Sequence, residues 1–493
     1  MSHARHLAAH LDVWIARRPE HPALVDDHGS WSFGELGDDV DRTVAGLRAA
    51  GVGRGDRIGC LASTRADVFI TLLAASRIGA ALVPVNLRLA TAEVDWILDD
   101  CAVSVVVGDA AQLERLRHRS EPLLCFEEAH WRPTDGEPGH DEGTTDDDVL
   151  VVYTSGTTGR PKGAVLTQSA ILANERNADG MFDLGPDDVT LVCLPLFHVG
   201  GLNITATPTL LVGGTVRCHG AFDPGRWLAD VAEHQVATTV LVPAMMAAVI
   251  GHPDFATADL SSLRYLATGS SEVPEPLLRA FLDRRVPTGQ VYGLTETAPI
   301  AVHQRAAEVF DHVGSTGRAA RLSELRIVSP EGEVLPAGHE GEVQLRGPNL
   351  FDRYWNDPAA TAEAKVDGWF RTGDVGVVDA DGELTIRGRI KEMIISGGEN
   401  VYPAEVERVL LDDDRVAEVA VVGRPDERWG EVPVAVVVAA PGAALDEAGL
   451  LARCDGRLAR FKHPAAVVFV DELPRNAMGK LQKVELARSV AEL

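Results

Sequence analysis

Residues 153–163 read Tyr153-Thr154-Ser155-Gly156-Thr157-Thr158-Gly159-Arg160-Pro161-Lys162-Gly163 and follow an apolar run at 149–153. Small hydroxyl side chains and glycines let backbone N–H groups and hydroxyls close around phosphate oxygens, and Lys162 adds a positive charge. The GxxxxGK[ST] spacing of a Walker A loop is absent, so any phosphate grip here is of another kind. A Ser/Thr/Gly-rich turn taken alone is far more often only a turn. Its chemistry therefore has to be supported elsewhere in the chain.

Four further segments supply that support, in order. They are Tyr292-Gly293-Leu294-Thr295-Glu296, Gly368-Trp369-Phe370-Arg371-Thr372-Gly373-Asp374, the run 388–403 from Gly388-Arg389-Ile390-Lys391 to Val401-Tyr402-Pro403, and Pro474-Arg475-Asn476-Ala477-Met478-Gly479-Lys480. With the loop they resemble the adenylate-forming superfamily of acyl-CoA synthetases, firefly-luciferase-like enzymes and peptide-synthetase adenylation domains. The resemblance covers nearly the whole chain.

The resemblance implies roles residue by residue. Thr154, Ser155, Gly156, Thr157, Thr158, Gly159 and Lys162 would cradle the phosphates of ATP. Tyr292 would stack on the adenine, with Gly293 and Ser271 beside it, and Thr295 would lie near the phosphates. Glu296, with Thr158, would hold Mg²⁺. Asp374 and Arg389 would take the ribose hydroxyls. Lys391 would be the hinge of a mobile C-terminal domain, Ser396, Gly397 and Gly398 would approach coenzyme A, and Lys480 would be the adenylation lysine.

The implied reaction is ATP-dependent activation of a carboxylic acid as acyl-AMP with release of pyrophosphate, then transfer of the acyl group to coenzyme A. A carboxylate and an α-phosphate repel each other, so the site must hold both in line and neutralise the charge that develops. Lys480, Mg²⁺ on Glu296 and the donors of residues 154–158 would do that. The thiol then needs a different approach, and rotation of the small domain about Lys391 would withdraw Lys480 and bring the 396–399 side forward.

For the acid itself, Pro195-Leu196-Phe197-His198-Val199-Gly200-Gly201 resembles the family's acid-site segment, with His198 flanking the carboxylate. Where the family normally has a small apolar wall, this chain has Gly269-Ser270-Ser271-Glu272. Buried hydroxyls need partners, so this departure favours a medium-sized acid, aromatic or unsaturated, that carries a polar group. Gly293 and Ala298 would complete the pocket, and Asn203 and His303 are candidate polar contacts. Two rival readings stand beside this one: an adenylating enzyme with another nucleophile (a carrier-protein thiol, an amine or a small anion), and a non-catalytic nucleotide-binding scaffold. Arg457, Arg460 and Lys462 offer local positive charge to a phosphorylated pantetheine, which favours coenzyme A. Retention of Thr158, Lys162, Glu296, Asp374, Arg389 and Lys480 together speaks against the scaffold.

The elements that must position these residues form a βα alternation. Leu36, Val40, Val44 and Leu47 share one helical face, and an apolar strand is expected at 57–61. A helix at 68–78, a strand at 81–85, a helix at 92–98 and a strand at 103–107 follow, which predicts largely parallel sheet covered by helices. Strands are expected at 240–243 and 265–268 and a helix at 275–284; beyond about 323 short strands follow at 342–346, 375–379 and 383–387. Residues 132–148 read as a solvated connector. The fold class is α/β: a large N-terminal body of βα-layered sheets plus a β-rich subdomain, with a small mobile α+β C-terminal domain. The expected boundaries are 1–388 for the body, 389–391 for the hinge and 392–493 for the mobile domain.

The length of 493 residues allows such a multi-lobed body. With 46 Lys and Arg against 73 Asp and Glu the net charge is −27, which disfavours nucleic-acid and anionic-membrane partners. The six cysteines lack metal or disulfide spacing and suit a reducing cytoplasm. No export signal is read at the N-terminus, and the apolar stretch 204–216 is broken by Pro208, Gly213 and Gly214, so it is expected in the core rather than in a bilayer. The expected partners are the acid, ATP and coenzyme A, and a homodimer is compatible with the sequence.

Overall fold

The computed structural model describes residues 6–133, 139–154, 161–269, 273–396, 399–426, 428–475 and 481–491. Contacts divide the chain into two units. The first comprises Met1–Leu325 with Leu345–Phe370, and the second Arg326–Gln344 with Arg371–Leu493. The β-rich strands beyond residue 325 therefore group partly with the C-terminal residues, and the expected hinge positions 389–391 lie inside the second unit.

The first unit is built on two sheets. One has nine strands in the order Arg318–Ala319, Val302–His303, Thr288–Tyr292, Tyr265–Thr268, Thr238–Val240, Val189–Val192, Thr215–Cys218, Pro22–Val25 and Ser30–Ser32. Its six inner strands, from Thr288–Tyr292 to Pro22–Val25, are mutually parallel, and the outer strands at either edge are antiparallel. The other sheet has seven strands and carries the parallel set Asp148–Thr154, Ala81–Pro84, Arg57–Leu61, Val105–Gly108 and Leu123–Cys125. Its far edge turns antiparallel through Lys162–Thr167 and Arg353–Tyr354.

Local sequence explains the helices between these strands. Phe33–Ala49 starts with a capping box in which Ser32 Oγ accepts from Glu35 N at 3.3 Å and Glu35 Oε2 accepts from Ser32 N at 2.8 Å. Its apolar stripe of Leu36, Val40, Val44 and Leu47 is buried, as the spacing predicts. The stretch 204–216 lies in the core as the helix Ala206–Leu211 and the start of a strand. One expectation shifts: the strand expected at 240–243 is Thr238–Val240, because Pro243 stands at the first turn of the helix Pro243–Ile250, where a missing N–H costs nothing.

In the second unit the strands Ile394–Ser396, Gly430–Ala439 and Val416–Asp426 form a sheet with Glu399–Val401 and Ala466–Phe469. The helices Pro403–Leu411 and Lys483–Ala491 accompany it, and Val406, Leu410, Val421 and Val437 form a small core. Among the described residues, no helix is long and apolar enough to cross a membrane.

Candidate active site

Open parallel sheets bind ligands in the crevice outside the carboxyl ends of their strands. In the nine-stranded sheet those ends carry the expected residues. His198 follows Val189–Val192, Gly269 follows Tyr265–Thr268, and Gly293 with Thr295 and Glu296 follows Thr288–Tyr292. The register pairs Thr268 with Gln290, so neighbouring ends lie almost level. Gly269 and Gly293 are required by close backbone: an added Cβ would stand 2.5 Å from Val291 O and 1.7 Å from Pro299 O respectively.

Thr295 and Glu296 sit in a single 3-10 turn, Thr295–Thr297, and both are buried. The turn is closed by Thr297, whose hydroxyl accepts from Leu294 N at 2.9 Å and donates to Pro299 O at 2.9 Å. A strap at residues 349–355 fixes it from outside. Asn349 Nδ2 donates to Thr297 O at 2.9 Å and to Ile300 O at 3.1 Å, and Phe351 N donates to Glu296 O at 2.8 Å. The same strap pairs with the strand carrying Lys162: Tyr354 is in register with Ala164, and Trp355 N donates to Gly163 O at 2.7 Å. The strap thus ties the Lys162 strand to the Glu296 turn. At the contact, Tyr354 Oη donates to Glu296 Oε1 at 2.7 Å, and Lys162 Nζ lies 5.3 Å from the centre of the Tyr354 ring. Burial, then the charge of Glu296, pushes the phenol pKa up, so the hydroxyl stays a donor.

Among the described residues no group of three or more His, Cys, Asp or Glu side chains could hold a metal ion by itself. Glu296 is a buried single carboxylate, and Mg²⁺ is commonly held by one or two carboxylates together with substrate phosphates, so the residues present fit that ion in a nucleotide site. Thr154 ends the strand that pairs with Lys162–Thr167, and its own register partner is Lys162. Ser155, Gly156, Thr157, Thr158 and Gly159 lie outside the described residues, as do Ser270, Ser271 and Glu272.

Of the other pocket candidates, His198 caps the helix Val199–Asn203, its Nδ1 accepting from Gly200 N at 3.0 Å. Asn203 is fully buried on that helix; its carbonyl accepts from Asn174 Nδ2 at 2.7 Å, while neither polar atom of its side chain has a hydrogen-bond partner among the described residues. Ala298 is wholly buried and belongs to the main core cluster. His303 is buried on the strand Val302–His303, second from the edge of the nine-stranded sheet, with Nδ1 3.2 Å from Gln304 O.

In the second unit Asp374 and Arg389 form an ion pair at 2.9 Å, and Asp374 N donates to Thr372 Oγ1 at 3.0 Å. Lys391 is exposed in the turn Ile390–Glu392, and Ser396 is buried at a strand end. Gly397, Gly398 and Lys480 lie outside the described residues. The basic residues weighed for coenzyme A each face an acid: Arg457 pairs with Asp412, Lys462 with Glu405 at 2.6 Å, and Arg460 with Asp455 at 3.5 Å.

All six cysteines are buried. Cys193 Sγ lies 3.6 Å from His219 Nδ1, and His219 Nε2 is 2.7 Å from Asp230. This has the order of a nucleophilic triad without its chemistry, because burial pushes the Cys193 thiol up to about 12. Asn349 and Tyr354 are the residues that motif reading passed over. A buried asparagine and a two-residue edge strand leave no periodic signal, and only the position of Tyr354 in an aromatic run hints at packing.

Comparison with known proteins agrees with this geometry. The family model for AMP-binding enzymes matches residues 11–355, and the model for the C-terminal domain of AMP-binding enzymes matches residues 405–480. The chain is 43% identical to an indoleacetate–CoA ligase of Aromatoleum aromaticum over 500 residues, covering 98% of both chains. It is 42% identical to a feruloyl-CoA synthase of an Amycolatopsis species, covering 97% of this chain and 98% of that one. The o-succinylbenzoate CoA synthetase of Bacillus subtilis, solved with its acyl-adenylate intermediate, superposes with a TM-score of 0.90 at 31% identity, covering 97% of each chain. The chain therefore belongs to the AMP-binding enzymes, within the acyl- and aryl-acid:CoA ligase branch of the adenylate-forming superfamily.

Proposed function

We propose that this chain is an AMP-forming acid:CoA ligase that acts on a medium-sized aromatic or unsaturated carboxylic acid bearing a polar group. The observation that carries the reading is its end-to-end likeness to two ligases named for aromatic acids, indoleacetate and ferulate. The sequence Gly269-Ser270-Ser271-Glu272 and the buried amide of Asn203, without a partner among the described residues, support the polar group.

Lys162 and the hydroxyls of residues 154–158 grip the ATP phosphates, and Tyr292 and Gly293 take the base. Asp374 and Arg389 take the ribose. Glu296 and Thr158 would hold Mg²⁺, which would supply positive charge against the phosphates. His198 orients the acid carboxylate for in-line attack on the α-phosphate, and Lys480 stabilises the charge that gathers there. Carboxylate oxygen bonds to phosphorus as the bond to pyrophosphate breaks. The thiolate of coenzyme A then attacks the acyl carbon and AMP leaves.

A single lysine on the line of attack would obstruct the thiol. The C-terminal domain, residues 392–493, therefore turns about the hinge 389–391 against the body 1–388, and Ser396, Gly397 and Gly398 face the pantetheine. Buried, unpaired cysteines suit a cytoplasmic enzyme.

The test is acid-dependent pyrophosphate release from Mg·ATP over a panel of aliphatic, aromatic, hydroxy- and amino-substituted acids, each with and without coenzyme A. Multiple turnover that requires coenzyme A and yields a thioester is the expected result. Release indifferent to coenzyme A would refute that acceptor, and exclusive turnover of unsubstituted long-chain acids would refute the substrate class.

A further inference from the structure

One aromatic side chain touches both charged groups that the nucleotide site draws from the first unit. Tyr354 Oη donates to Glu296 Oε1 at 2.7 Å, and its ring lies under the Lys162 ammonium at 5.3 Å. We infer that Tyr354 is a positioning residue of this site, its hydroxyl setting the Glu296 carboxylate for Mg²⁺ and its ring face holding Lys162 for the phosphates; this rests on the nucleotide reading above.

Tyr354 is itself held from several sides. Its backbone N donates to Thr361 Oγ1 at 2.9 Å, its ring packs on Phe351 with centroids 4.8 Å apart, and its strand is in register with the one that begins at Lys162. Phe351 in turn binds the backbone of Glu296, and Lys365 Nζ donates to Phe351 O at 2.9 Å and to Asp352 O at 3.1 Å. These two hydrogen bonds from Lys365 Nζ clamp the strap. The phenol is therefore a fixed donor. A hydrogen bond to one carboxylate oxygen fixes the rotation of the group, and a cation over an aromatic face keeps its place at small entropic cost. A purely structural tyrosine would need neither contact: the ring alone fills the space beside Phe351.

The test separates hydroxyl from ring. Tyr354→Phe keeps the ring and removes the donor, and Tyr354→Leu removes both. Calorimetric titration of ATP into the full-length protein at a series of Mg²⁺ concentrations reports binding without turnover. In Tyr354→Phe the Mg²⁺ concentration that half-saturates its effect on ATP affinity should rise about tenfold, the size expected when a charged group loses one hydrogen bond, with metal-free ATP binding unchanged. In Tyr354→Leu metal-free ATP binding should fall as well. In a Glu296→Gln background the hydroxyl should no longer affect the Mg²⁺ dependence, which distinguishes positioning from loss of fold even where Tyr354→Phe lowers the melting temperature. An unchanged Mg²⁺ dependence in Tyr354→Phe, or the same shift in both backgrounds, overturns the inference. Failure of the wild-type chain to bind ATP at all overturns the nucleotide reading instead.

Discussion

Asp374 and Arg389 face each other across two antiparallel strands, in register, with Arg389 Nε 2.9 Å from Asp374 Oδ1. They come from the paired strands Trp369–Val378 and Leu384–Arg389, and the Asp374 side chain is only 6% exposed while that of Arg389 is 42% exposed. A buried carboxylate with a fixed cationic neighbour is preset to accept hydrogen bonds from paired hydroxyls.

If that pair reads the ribose, removing it should erase discrimination between sugars. Asp374→Ala is expected to raise the KM for ATP at least tenfold and to bring 2′-deoxy-ATP level with ATP, since a lost hydrogen bond to a charged group is worth about 1.5–3 kcal/mol. Steady-state kinetics with the two nucleotides checks this. Retention of the wild-type ratio would remove Asp374 from the ribose site.

Lys480 is expected to serve only one half-reaction. Lys480→Ala should lower acid-dependent pyrophosphate release by about a hundred- to a thousandfold, the usual cost of one preorganised charge. Thioester formation from supplied acyl-adenylate and coenzyme A should be largely retained. Single-turnover measurement of each half separates them, and equal loss in both would contradict a domain that alternates between two positions.

The motif segments that place the chain in its family were legible because their signals are local. Thr154, Lys162, Thr295, Glu296 and Asp374 occur in short strings beside strands whose β-branched and apolar residues announce them, and Arg57–Leu61 and Tyr265–Thr268 have the expected bounds. The strap was not legible. Its bonds join Phe351 to Glu296, Tyr354 to Glu296 and Trp355 to Gly163, residues far apart in the chain, so no periodicity reports them. Nor did the sequence show the neighbours of the surface charges: Arg457 and Lys462 read as local positive charge, and the fold sets Asp412 and Glu405 beside them. The strand expected to reach 243 ends at Val240, because Pro243 opens the next helix, a reason visible only once that helix is known.

Asn349 should matter through the turn it holds. It is fully buried, and its Nδ2 is shared between Thr297 O and Ile300 O; Asn177 Nδ2 also donates to Ile300 O at 2.9 Å. In Asn349→Leu the Ile300 carbonyl keeps that partner while the Thr297 carbonyl loses the bond from Asn349. The expected destabilisation is about 1–3 kcal/mol by urea unfolding, with a larger fractional loss in adenylation rate because Thr297 adjoins Glu296. A loss of stability with activity per folded molecule unchanged would mean that the turn tolerates the slack.

The acidic limb of stability should be set first by histidines. His303 is held below the ordinary imidazole pKa by burial, with Arg305 adding to the effect and the Gln304 carbonyl and Glu308 opposing it. Burial likewise lowers His219, against the opposing bond to Asp230. With folded pKa values below the unfolded value of about 6.5, the unfolded chain binds more protons in this window. The contribution is therefore complete above about pH 6.5 and is lost as pH falls through the folded values. Carboxylates enter later: Glu127, where hydrogen bonds from Cys125, Ala110 and Arg65 outweigh burial, is held at about 2 and adds its loss only below about pH 4.5. The urea midpoint should be level between pH 7 and 8 and decline from pH 6.5 to 5, and His303→Gln should flatten part of that decline. A midpoint level from pH 7 to 5 in the wild-type chain would mean that these imidazoles accept protons in the folded state as easily as in the unfolded one, against the burial that surrounds them.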